Sequence, residues 1–551
     1  MSETQAQRVE RLKREKNPWA ALDELRAFAA QGFDAVPAEW IGTYLRWWGV
    51  YTQGDGIGAV GGKAVPYFMV RIRVTNGLLL SHQVRTIAEI AQQYARGIAD
   101  LTVRQNVQLH WIRIEDLPAI LDTLWRAGLT TTGSCGDDTR NITGCPLAGL
   151  DASELIDASP LALQATRMLV GDARFYNLPR KFKVTITGCR HWCSYPEIND
   201  VGLTAVRRGD EIGFSMRVGG GLSADPHLAV RLDAFIAWNQ VLPVLRAAAE
   251  IFRDADALRE HRDRARLKHL FLRHGWDASQ FLEELHKRLP FTLDCAVDEV
   301  RPVELFRDHV GIHRQKQDGY AYVGASVLRG RITAEQLHIA ANLAEAFGSG
   351  ELRTTIMQNL LIANVPSRNA ECVARELNDA GLTTHGSPFA RGTVACTGSE
   401  FCKLGITETK SFARWLVSEL DARLPGYEQQ LKINITGCPN SCGQHWIADL
   451  GIEGKKLKAG DRFVDAYYFC VGGGLGEHAS IARPTGYRCV GSEVPDAIER
   501  LLRAAQGESL RAFFARHSND ELRAILAGAE VEPVLRDPSP GPVPHLEVGL
   551  G

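Results

Sequence analysis

The sequence from Cys396 to Cys402 reads Cys-Thr-Gly-Ser-Glu-Phe-Cys, and the sequence from Thr436 to Cys442 reads Thr-Gly-Cys-Pro-Asn-Ser-Cys. Five residues separate the cysteines of the first pair and three separate those of the second. Both spacings are wider than the two-residue spacing that is usual for structural zinc. Thiolates also hold iron–sulfur clusters, and a cubane is larger than one ion. The pattern therefore favours an iron–sulfur cluster on four cysteines, with zinc or buried unligated thiols as alternatives; the four are Cys396, Cys402, Cys438 and Cys442.

The composition of the chain is typical of a globular protein with several domains. It has 551 residues, of which 45% are hydrophobic and 23% charged, and a net charge of −2. This length accommodates about three or four ordinary domains, and the charge lacks the basic excess expected of a nucleic-acid-binding protein. The first residues are polar, and no run reaches the ~18 apolar residues of a membrane span. Twelve cysteines in such a chain indicate reduced thiols, so a cytoplasmic protein without a membrane or nucleic-acid partner is expected.

Three motifs occur twice, in the same order. Gln-Asn occurs at 105–106 and 358–359, Ile-Thr-Gly-Cys at 186–189 and 435–438, and Val-Gly-Gly-Gly-Leu at 218–222 and 471–475. The second copies follow the first by 249 to 253 residues, which indicates an internal duplication. The repeated residues are polar residues, cysteine and glycine rather than apolar residues, which favours a functional reason over core packing alone.

We therefore expect an α+β fold that is internally duplicated around a pseudo-two-fold axis. Each copy is predicted to contain a strand–helix–strand–helix half-unit and a larger α/β lobe, and a cofactor that contacts both copies would lie near the axis. The N-terminal segment should contain one amphipathic helix over residues 7–31. The predicted segments are 1–59 (helical), 60–130 and 296–385 (half-units), 131–295 and 386–536 (lobes), and 537–551 (a disordered tail).

These motifs resemble those of the assimilatory nitrite and sulfite reductases, which contain siroheme and an iron–sulfur cluster. The similarity covers nearly the whole chain and is most specific at Thr436–Cys442 together with the two upstream cysteines. It implies that the half-units are ferredoxin-like and that the four cysteines hold a [4Fe–4S] cluster. It also implies that Cys442 bridges the cluster to the siroheme iron.

The resemblance further implies which polar residues surround siroheme and substrate. A small anion must be drawn into the site and protonated as its oxygens leave. A lysine crowded among other cations has a lowered pKa, which suits a proton donor. The expected substrate-facing cations are Arg71, Arg140, Lys181 and Lys183. Siroheme carries many carboxylates, and the expected groups around it are Arg104, Asn106, Gln358 and Asn359.

Two anions are candidate substrates. The segments around Pro146, His313 and Gly348 resemble ferredoxin-dependent nitrite reductases. Lys183, in contrast, is typical of sulfite reductases, because plant-type nitrite reductases tend to carry Asn there. We expect the six-electron reduction of nitrite to ammonia, with reduction of sulfite to sulfide as the alternative. An oxygen-using enzyme of corrin synthesis and a non-enzymatic electron carrier are further alternatives, and the four cations disfavour both.

The electron donor is expected to be a separate protein. The chain has no Gly-x-Gly-x-x-Gly helix start and no additional ferredoxin-type cysteine run. Ferredoxin, a small acidic carrier, would dock on a local basic patch. The basic stretch from Arg253 to Lys268 is a candidate for that patch, but a solvent-exposed helix face is the favoured interpretation. A monomer is expected.

Four cysteines of the first copy need separate interpretation. Cys189 and Cys193 repeat the second cluster pair, but the first pair has no clear equivalent in this copy. Cys135 and Cys145 could supply two further ligands of a second metal site, although remnant or packing thiols are the prediction. Related sequences that pair Trp-Trp-Gly-x-Tyr with Cys-Gly-Asp can carry a Tyr–Cys cross-link. A cross-link between Tyr51 and Cys135 is therefore a hypothesis.

Overall fold

The computed structural model describes residues 3–53, 66–303 and 306–529, so the predicted tail at 537–551 lies outside the described residues. The described strands are β1 (Val50–Thr52), β2 (Phe68–Ile72), β3 (Leu78–Leu80), β4 (Ile98–Leu101), β5 (Val107–Ile112), β6 (Thr143–Gly144), β7 (Val184–Thr187), β8 (Val201–Arg208), β9 (Glu211–Val218), β10 (Val230–Ala237), β11 (Gly311–Arg314), β12 (Tyr320–Ala325), β13 (Arg331–Thr333), β14 (Glu351–Thr354), β15 (Leu360–Pro366), β16 (Thr393–Ala395), β17 (Ile433–Thr436), β18 (Leu450–Ala459), β19 (Arg462–Val471) and β20 (Arg483–Val490).

The described helices lie between these strands. They are α1 (Gln5–Glu15), α2 (Leu22–Gln31), α3 (Ala38–Gly42), α4 (Ser81–Tyr94), α5 (Leu117–Arg126), α6 (Ser159–Leu169), α7 (Val241–Arg253), α8 (Lys268–Arg273), α9 (Ala278–His286), α10 (Ala334–Phe347), α11 (Ala370–Asp379), α12 (Pro388–Gly392), α13 (Lys410–Arg423), α14 (Val494–Ala504), α15 (Leu510–Arg516) and α16 (Asn519–Ala527). None of the helices in the described ranges has the length and apolar character needed to cross a membrane.

The two half-units exchange strands. Their five-stranded sheets have the orders β1-β2-β5-β4-β13 and β11-β12-β15-β14-β3. Strand β13 of the second copy pairs antiparallel with β4, and β3 of the first copy pairs in the same way with β14. Helices α4 and α10 pack against each other over a single apolar core that contains residues from both copies. The half-units therefore fold as one body with a pseudo-two-fold axis between them.

The two lobes also have matching topologies. Their sheets have the orders β6-β7-β8-β9-β10 and β16-β17-β18-β19-β20. In each sheet the first three strands are parallel and the last two are antiparallel to their neighbours. The strands are covered by separate apolar cores. The predicted α+β fold and its internal duplication are thus confirmed.

Helix starts are duplicated as well. The Thr333 hydroxyl accepts a hydrogen bond from the Gln336 backbone N–H, and the Gln336 side chain accepts one from Thr333 N–H, which forms a capping box at α10. The Gln336 amide also donates to the Ala380 carbonyl at 3.0 Å. Gln83 in α4 makes the corresponding bond to the Ala127 carbonyl at 3.1 Å. Each of these glutamines joins the start of its helix to the end of the next helix.

The prediction of one helix over residues 7–31 is wrong. The structure has two helices, α1 and α2, with a short 3-10 turn at Pro18–Ala20 between them. Proline has no N–H group and its ring clashes with the carbonyl four residues earlier, so it cannot lie inside a helix without disrupting it. The Asn17 side chain accepts a hydrogen bond from Trp19 N–H and caps the turn.

Candidate active site

The strand register of the second lobe brings the two cysteine pairs together. Strands β16 and β17 are parallel neighbours, and Cys396 and Cys438 lie just beyond their carboxyl ends. The Gly437 backbone N–H donates a hydrogen bond to the Cys396 sulfur at 3.2 Å, and the Asn440 amide lies 3.5 Å from the Cys438 sulfur. Donors of this kind stabilise thiolates that bind metal and tune the potential of iron–sulfur clusters.

The four thiols are close enough to interact and are spread more widely than the ligands of one ion. Burial, and then the neighbouring Cys442, raises the pKa of Cys402 to about 12 and that of Cys438 to about 11. No three of these sulfurs lie within 4.8 Å of one another, although another set of cysteines in the described ranges does. Cys438 is buried whereas Cys442 is exposed. The donor set therefore fits a four-iron cubane, with Cys442 accessible to a second group.

Lys181 and Lys183 lie directly before β7 without acidic partners. Neither ammonium group forms a hydrogen bond or an ion pair with any residue in the described ranges. Burial, followed by the nearby Arg266, lowers the pKa of Lys181 to about 7, and Cys442 opposes this shift. Lys181 is therefore within electrostatic reach of the exposed Cys442. Two half-buried ammonium groups without a direct ion pair fit a space that receives an anion.

An ion pair between Arg266 and Asp200 holds the backbone of Lys183 in place. Its backbone N–H donates to an Asp200 carboxylate oxygen at 2.7 Å. Arg266 binds both oxygens of the same carboxylate at 3.1 and 2.8 Å. Burial, and then Arg266 and Arg104, lowers the pKa of Lys183. Sequence reasoning missed Arg266 and Asp200, because a pair separated by 66 positions leaves no local pattern.

Arg140 is held by a neighbouring carboxylate. Its guanidinium donates to Asp138 Oδ1 at 2.8 Å, and its backbone N–H donates to the Phe182 carbonyl. Burial raises the pKa of Asp138 to about 7, against the effect of Arg140. Asp138 Oδ2 is buried and has no hydrogen-bond partner in the described part of the chain. Arg140 is also close enough to Lys181 to lower its pKa.

Arg71 connects this group to the first cysteine pair. Its guanidinium donates to the Cys135 sulfur at 3.0 Å and lies 5.9 Å from the centre of the Tyr51 ring. It also lies 3.4 Å from the Gln108 amide oxygen, and the Gln108 amide nitrogen lies 3.4 Å from the Thr397 hydroxyl. Thr397 directly follows a cluster cysteine. Tyr51 is within electrostatic reach of both Arg71 and Arg140, so these two predicted cations lie near the same tyrosine.

The predicted siroheme ligands are mostly engaged with the protein. Arg104 donates to the Asn199 side chain and to the Asn141 carbonyl at 2.7 and 2.6 Å, and its Nε is buried without a partner among the described residues. The Asn106 side-chain oxygen accepts a hydrogen bond from Val74 N–H at 3.2 Å. The unpaired Nε leaves Arg104 with a free donor. The assignments of Arg104 and Asn106 stay predictions.

The second-copy candidates form hydrogen bonds with the protein backbone, and Gln358 also bonds to a residue of the first copy. Gln358 donates to the carbonyls of Leu101 and Ala395 at 2.9 and 3.0 Å, and its oxygen accepts from Ala395 N–H. Asn359 accepts from Val327 N–H at 3.0 Å and donates to the Asp308 carbonyl. These bonds occupy the polar atoms of both side chains. Their assignment as siroheme ligands stays a prediction, and these contacts do not support it.

Most cations of the basic stretch from Arg253 to Lys268 are bound to other groups of the protein instead of lying free on an exposed helix face. It contains the end of α7 and two short 3-10 turns. Arg259 pairs with Glu10, and the Lys268 ammonium donates to the Leu222 carbonyl. Arg262 and Arg266 bind buried carboxylates. The stretch is rich in cations because it satisfies buried acceptors of the first lobe.

Comparison with known proteins identifies the family. The ferredoxin-like half domain of nitrite/sulfite reductases matches residues 62–126 and 313–380. The nitrite and sulphite reductase 4Fe-4S domain matches residues 135–293 and 386–509. A solved structure of the Mycobacterium tuberculosis NirA protein superposes with a TM-score of 0.89 at 34% identity, and the match covers 94% of this chain and 97% of that chain.

Two curated relatives are named for different substrates. The assimilatory ferredoxin-dependent nitrite reductase of Haloferax mediterranei is 38% identical over 88% of this chain and 86% of its own length. Sulfite reductase [ferredoxin] 1 of Mycolicibacterium paratuberculosis is 34% identical over 91% of this chain and 92% of its own length. The chain therefore belongs to the nitrite and sulphite reductase family.

Proposed function

We propose that this protein reduces nitrite to ammonia at a siroheme that adjoins a [4Fe–4S] cluster, with electrons supplied by ferredoxin. The observation that carries the proposal is the position of Lys181. Its ammonium has no acidic partner among the described residues, and it lies within electrostatic reach of Arg140 and of the exposed Cys442. In this proposal Cys442 would be the cluster ligand, Arg140 the anion-binding cation and Lys181 the proton donor, and the three would act on the same substrate.

The cysteines and polar residues of this chain fit both the [4Fe–4S] cluster and siroheme. Cys396, Cys402, Cys438 and Cys442 would hold the cluster, and the free Nε of Arg104 would face a carboxylate of the macrocycle. When bound, siroheme supplies an iron that binds the anion and accepts electrons from the cluster.

The cations have separate roles in this proposal. Arg71 and Arg140 would hold the oxygens of the anion by charge-assisted hydrogen bonds. Asp138 orients Arg140 through the 2.8 Å bond. Lys181 would donate the proton, because a pKa of about 7 keeps its protonated and neutral forms both populated near neutral pH. Donation requires the protonated form, so this step slows as pH rises through about 7.

Nitrite is the preferred substrate and sulfite the second candidate. The segments around Pro146, His313 and Gly348 resemble nitrite reductases, and the Haloferax relative is named for nitrite. Lys183 favours the second candidate, because an additional cation stabilises a dianion more than a monoanion, and other relatives are named sulfite reductases. We also propose that the enzyme acts as a cytoplasmic monomer.

An anaerobic stoichiometry experiment tests the proposed reaction and donor. Purified enzyme, loaded with siroheme and cluster, is mixed with a known amount of reduced ferredoxin and excess nitrite. The proposal expects one ammonium for every six ferredoxins that are oxidised, and no ammonium when NADPH replaces ferredoxin. Release of a partly reduced nitrogen product, or ammonium formation driven by NADPH alone, would contradict it.

Replacing Lys183 with asparagine should change the substrate preference. We expect kcat/KM for sulfite to fall about 10–100-fold, as the ~1.5–3 kcal/mol of a hydrogen bond to a charged group predicts, and kcat/KM for nitrite to fall less than about 5-fold. Lys432→Asn is the matched control, because Lys432 N–H also donates to an aspartate, Asp449, at 2.7 Å. Equal losses for the two anions would refute the role assigned to Lys183.

The hypothesis of a Tyr51–Cys135 cross-link predicts a mass change. Both side chains lie beside Arg71, and molecular oxygen would take up the two electrons and two protons released by the new C–S bond, giving hydrogen peroxide. Intact-mass measurement of the denatured, reduced protein should then give a value about 2 Da below the sequence mass, and Cys135→Ser should show its own unmodified sequence mass. An unmodified mass for the active wild-type enzyme would remove the hypothesis.

A further inference from the structure

A second group of cysteines lies in the first lobe. The sulfur atoms of Cys145, Cys189 and Cys193 are all within 4.8 Å of one another, and the last two are 3.7 Å apart. Each of these residues is at most 5% exposed. Across residues 3–53, 66–303 and 306–529, no other group of metal-binding side chains is gathered this tightly.

Strand register explains how this group arises from the duplication. Strands β6 and β7 pair in parallel, as β16 and β17 do. Cys145 follows β6 as Cys396 follows β16, and Cys189 follows β7 as Cys438 follows β17. The first lobe therefore repeats three of the four cluster positions. The fourth position differs, because the residue six places after Cys145 is Asp151 rather than cysteine.

The sulfur spacing suits one ion rather than a cubane. Tetrahedral zinc with Zn–S bonds of about 2.3 Å requires sulfurs about 3.8 Å apart. The 3.7 Å between Cys189 and Cys193 agrees with that value. The four cysteines of the second lobe, which suit a larger cluster, contain no such tight triplet in the described structure. The two lobes thus present related cysteine loops with different spacings.

A buried imidazole next to the triplet supplies a candidate fourth ligand. His309 is 4% exposed, and its Nδ1 has no hydrogen-bond partner among the described residues. The centre of its ring lies 6.4 Å from that of Tyr322, and Tyr322 packs in one cluster with all three cysteines. The ring nitrogens of His309 are not among the ligand atoms that lie within 4.8 Å of one another. The ring would therefore have to move toward the three sulfurs to complete a tetrahedral site. Asp151 is less available, because it accepts two hydrogen bonds from Ser153 and pairs with Arg307.

The surrounding charge matches a thiolate-bound ion. Three thiolates, one neutral imidazole and Zn²⁺ carry a net charge of −1, which costs free energy in a buried site unless a cation compensates. Arg307 provides that cation, since both Cys193 and Cys145 lie within electrostatic reach of its guanidinium. Arg307 also pairs with Asp151 and lies 3.1 Å from His191 Nδ1, so its position is fixed.

We propose that Cys145, Cys189, Cys193 and His309 bind a single Zn²⁺ ion. Three thiolates with one imidazole form a usual structural zinc site, and soft thiolates favour zinc over magnesium or calcium. The ion would link the first lobe to the segment that begins the second copy. Its role is structural, because four protein ligands leave no open position for substrate.

The test is the metal content of the tag-free holoenzyme, purified without chelators from zinc-supplemented medium. Mass spectrometry should find about one zinc per chain in addition to iron. Cys189→Ser should contain less than about a tenth of that zinc and retain its iron. Cys470→Ser is the matched control, because Cys470 is buried and outside both groups, and it should retain both metals. Zinc-edge X-ray absorption of the wild type should show a sulfur shell at about 2.3 Å.

Other outcomes would overturn the proposal. Wild-type protein without zinc would do so, as would zinc bound mainly by oxygen or zinc retained in Cys189→Ser. Loss of iron instead of zinc in that variant would indicate a second iron–sulfur centre. A disulfide between Cys189 and Cys193 in the protein as purified would also contradict it. If Cys189→Ser does not fold, the zinc-edge X-ray absorption spectrum of the wild type still tests whether zinc is bound by sulfur, because that measurement requires no variant.

Discussion

Replacing Cys442 with serine is expected to lower nitrite reduction at least about 1,000-fold, well beyond the ~10–100-fold cost of losing an outer-shell partner of a metal. Cys442 is the proposed cluster ligand that is exposed and within electrostatic reach of Lys181, so in this proposal its loss would remove both a cluster ligand and the link to siroheme. Iron content, the spectrum of the reduced cluster and ammonium formation measure the three consequences. Cys295→Ser is the control, because Cys295 is an exposed thiol outside both cysteine groups.

The iron content of Cys442→Ser distinguishes the loss of a cluster ligand from the loss of another function of this residue. We expect Cys442→Ser to lose most of the four iron atoms per chain that the cluster would contribute. Full iron content together with normal turnover would show that Cys442 is neither a ligand nor a bridge. The Cys295→Ser protein should match the wild type in all three measurements.

Replacing Lys181 with methionine is expected to lower kcat for nitrite about 100–10,000-fold, the usual range for loss of a general acid. Lys181→Arg should retain much of the substrate affinity, because the charge remains, but it should not restore kcat, because arginine does not release its proton near neutral pH. Siroheme and cluster spectra should be unchanged in both variants. Steady-state kcat and KM with reduced ferredoxin measure the difference.

The pH dependence of kcat provides a second test of Lys181 as the proton donor. Its pKa of about 7 predicts that wild-type kcat falls above that pH, where the ammonium loses its proton, and levels off below it. The descending limb should disappear in Lys181→Met, because the titrating group has been removed. Lys432→Met is the control, because this lysine directly precedes β17 in the second copy as Lys183 precedes β7, and it should keep the wild-type profile. An unchanged limb in Lys181→Met would assign the proton donor to another residue.

The cluster cysteines and the duplication are readable from sequence because their signals are local or repeated. Each cysteine pair occupies a short loop, and three motifs recur at a nearly constant offset. The repeated glycines have a packing reason that sequence alone does not reveal. A Cβ atom at Gly220 would lie 2.4 Å from the Glu197 carbonyl, and one at Gly473 would lie 2.6 Å from the Trp446 carbonyl. Both positions therefore require glycine because backbone approaches backbone.

The strand exchange and the second cysteine group were not predictable in the same way. Strands β3 and β13 have three residues each, too few for a periodic pattern. Cys145 precedes Cys396 by 251 residues, which is within the offsets of the repeat, but the residues around the two cysteines differ, with Thr-Gly-Cys-Pro at Cys145 and Val-Ala-Cys-Thr at Cys396. Only strand pairing shows that the two positions correspond. The Arg266–Asp200 pair is likewise a contact that tertiary structure alone creates.

The most direct test of the proposed function is to measure ammonium and sulfide formation in parallel, using one preparation of siroheme-loaded enzyme with reduced ferredoxin and equal concentrations of nitrite and sulfite. The proposal predicts that ammonium forms at least about 10-fold faster than sulfide, which corresponds to a preference of about 1.4 kcal/mol. Faster formation of sulfide would contradict it and would make Lys183 the residue that decides the substrate. Formation of neither product by enzyme with intact siroheme and cluster spectra would contradict the reductase function itself.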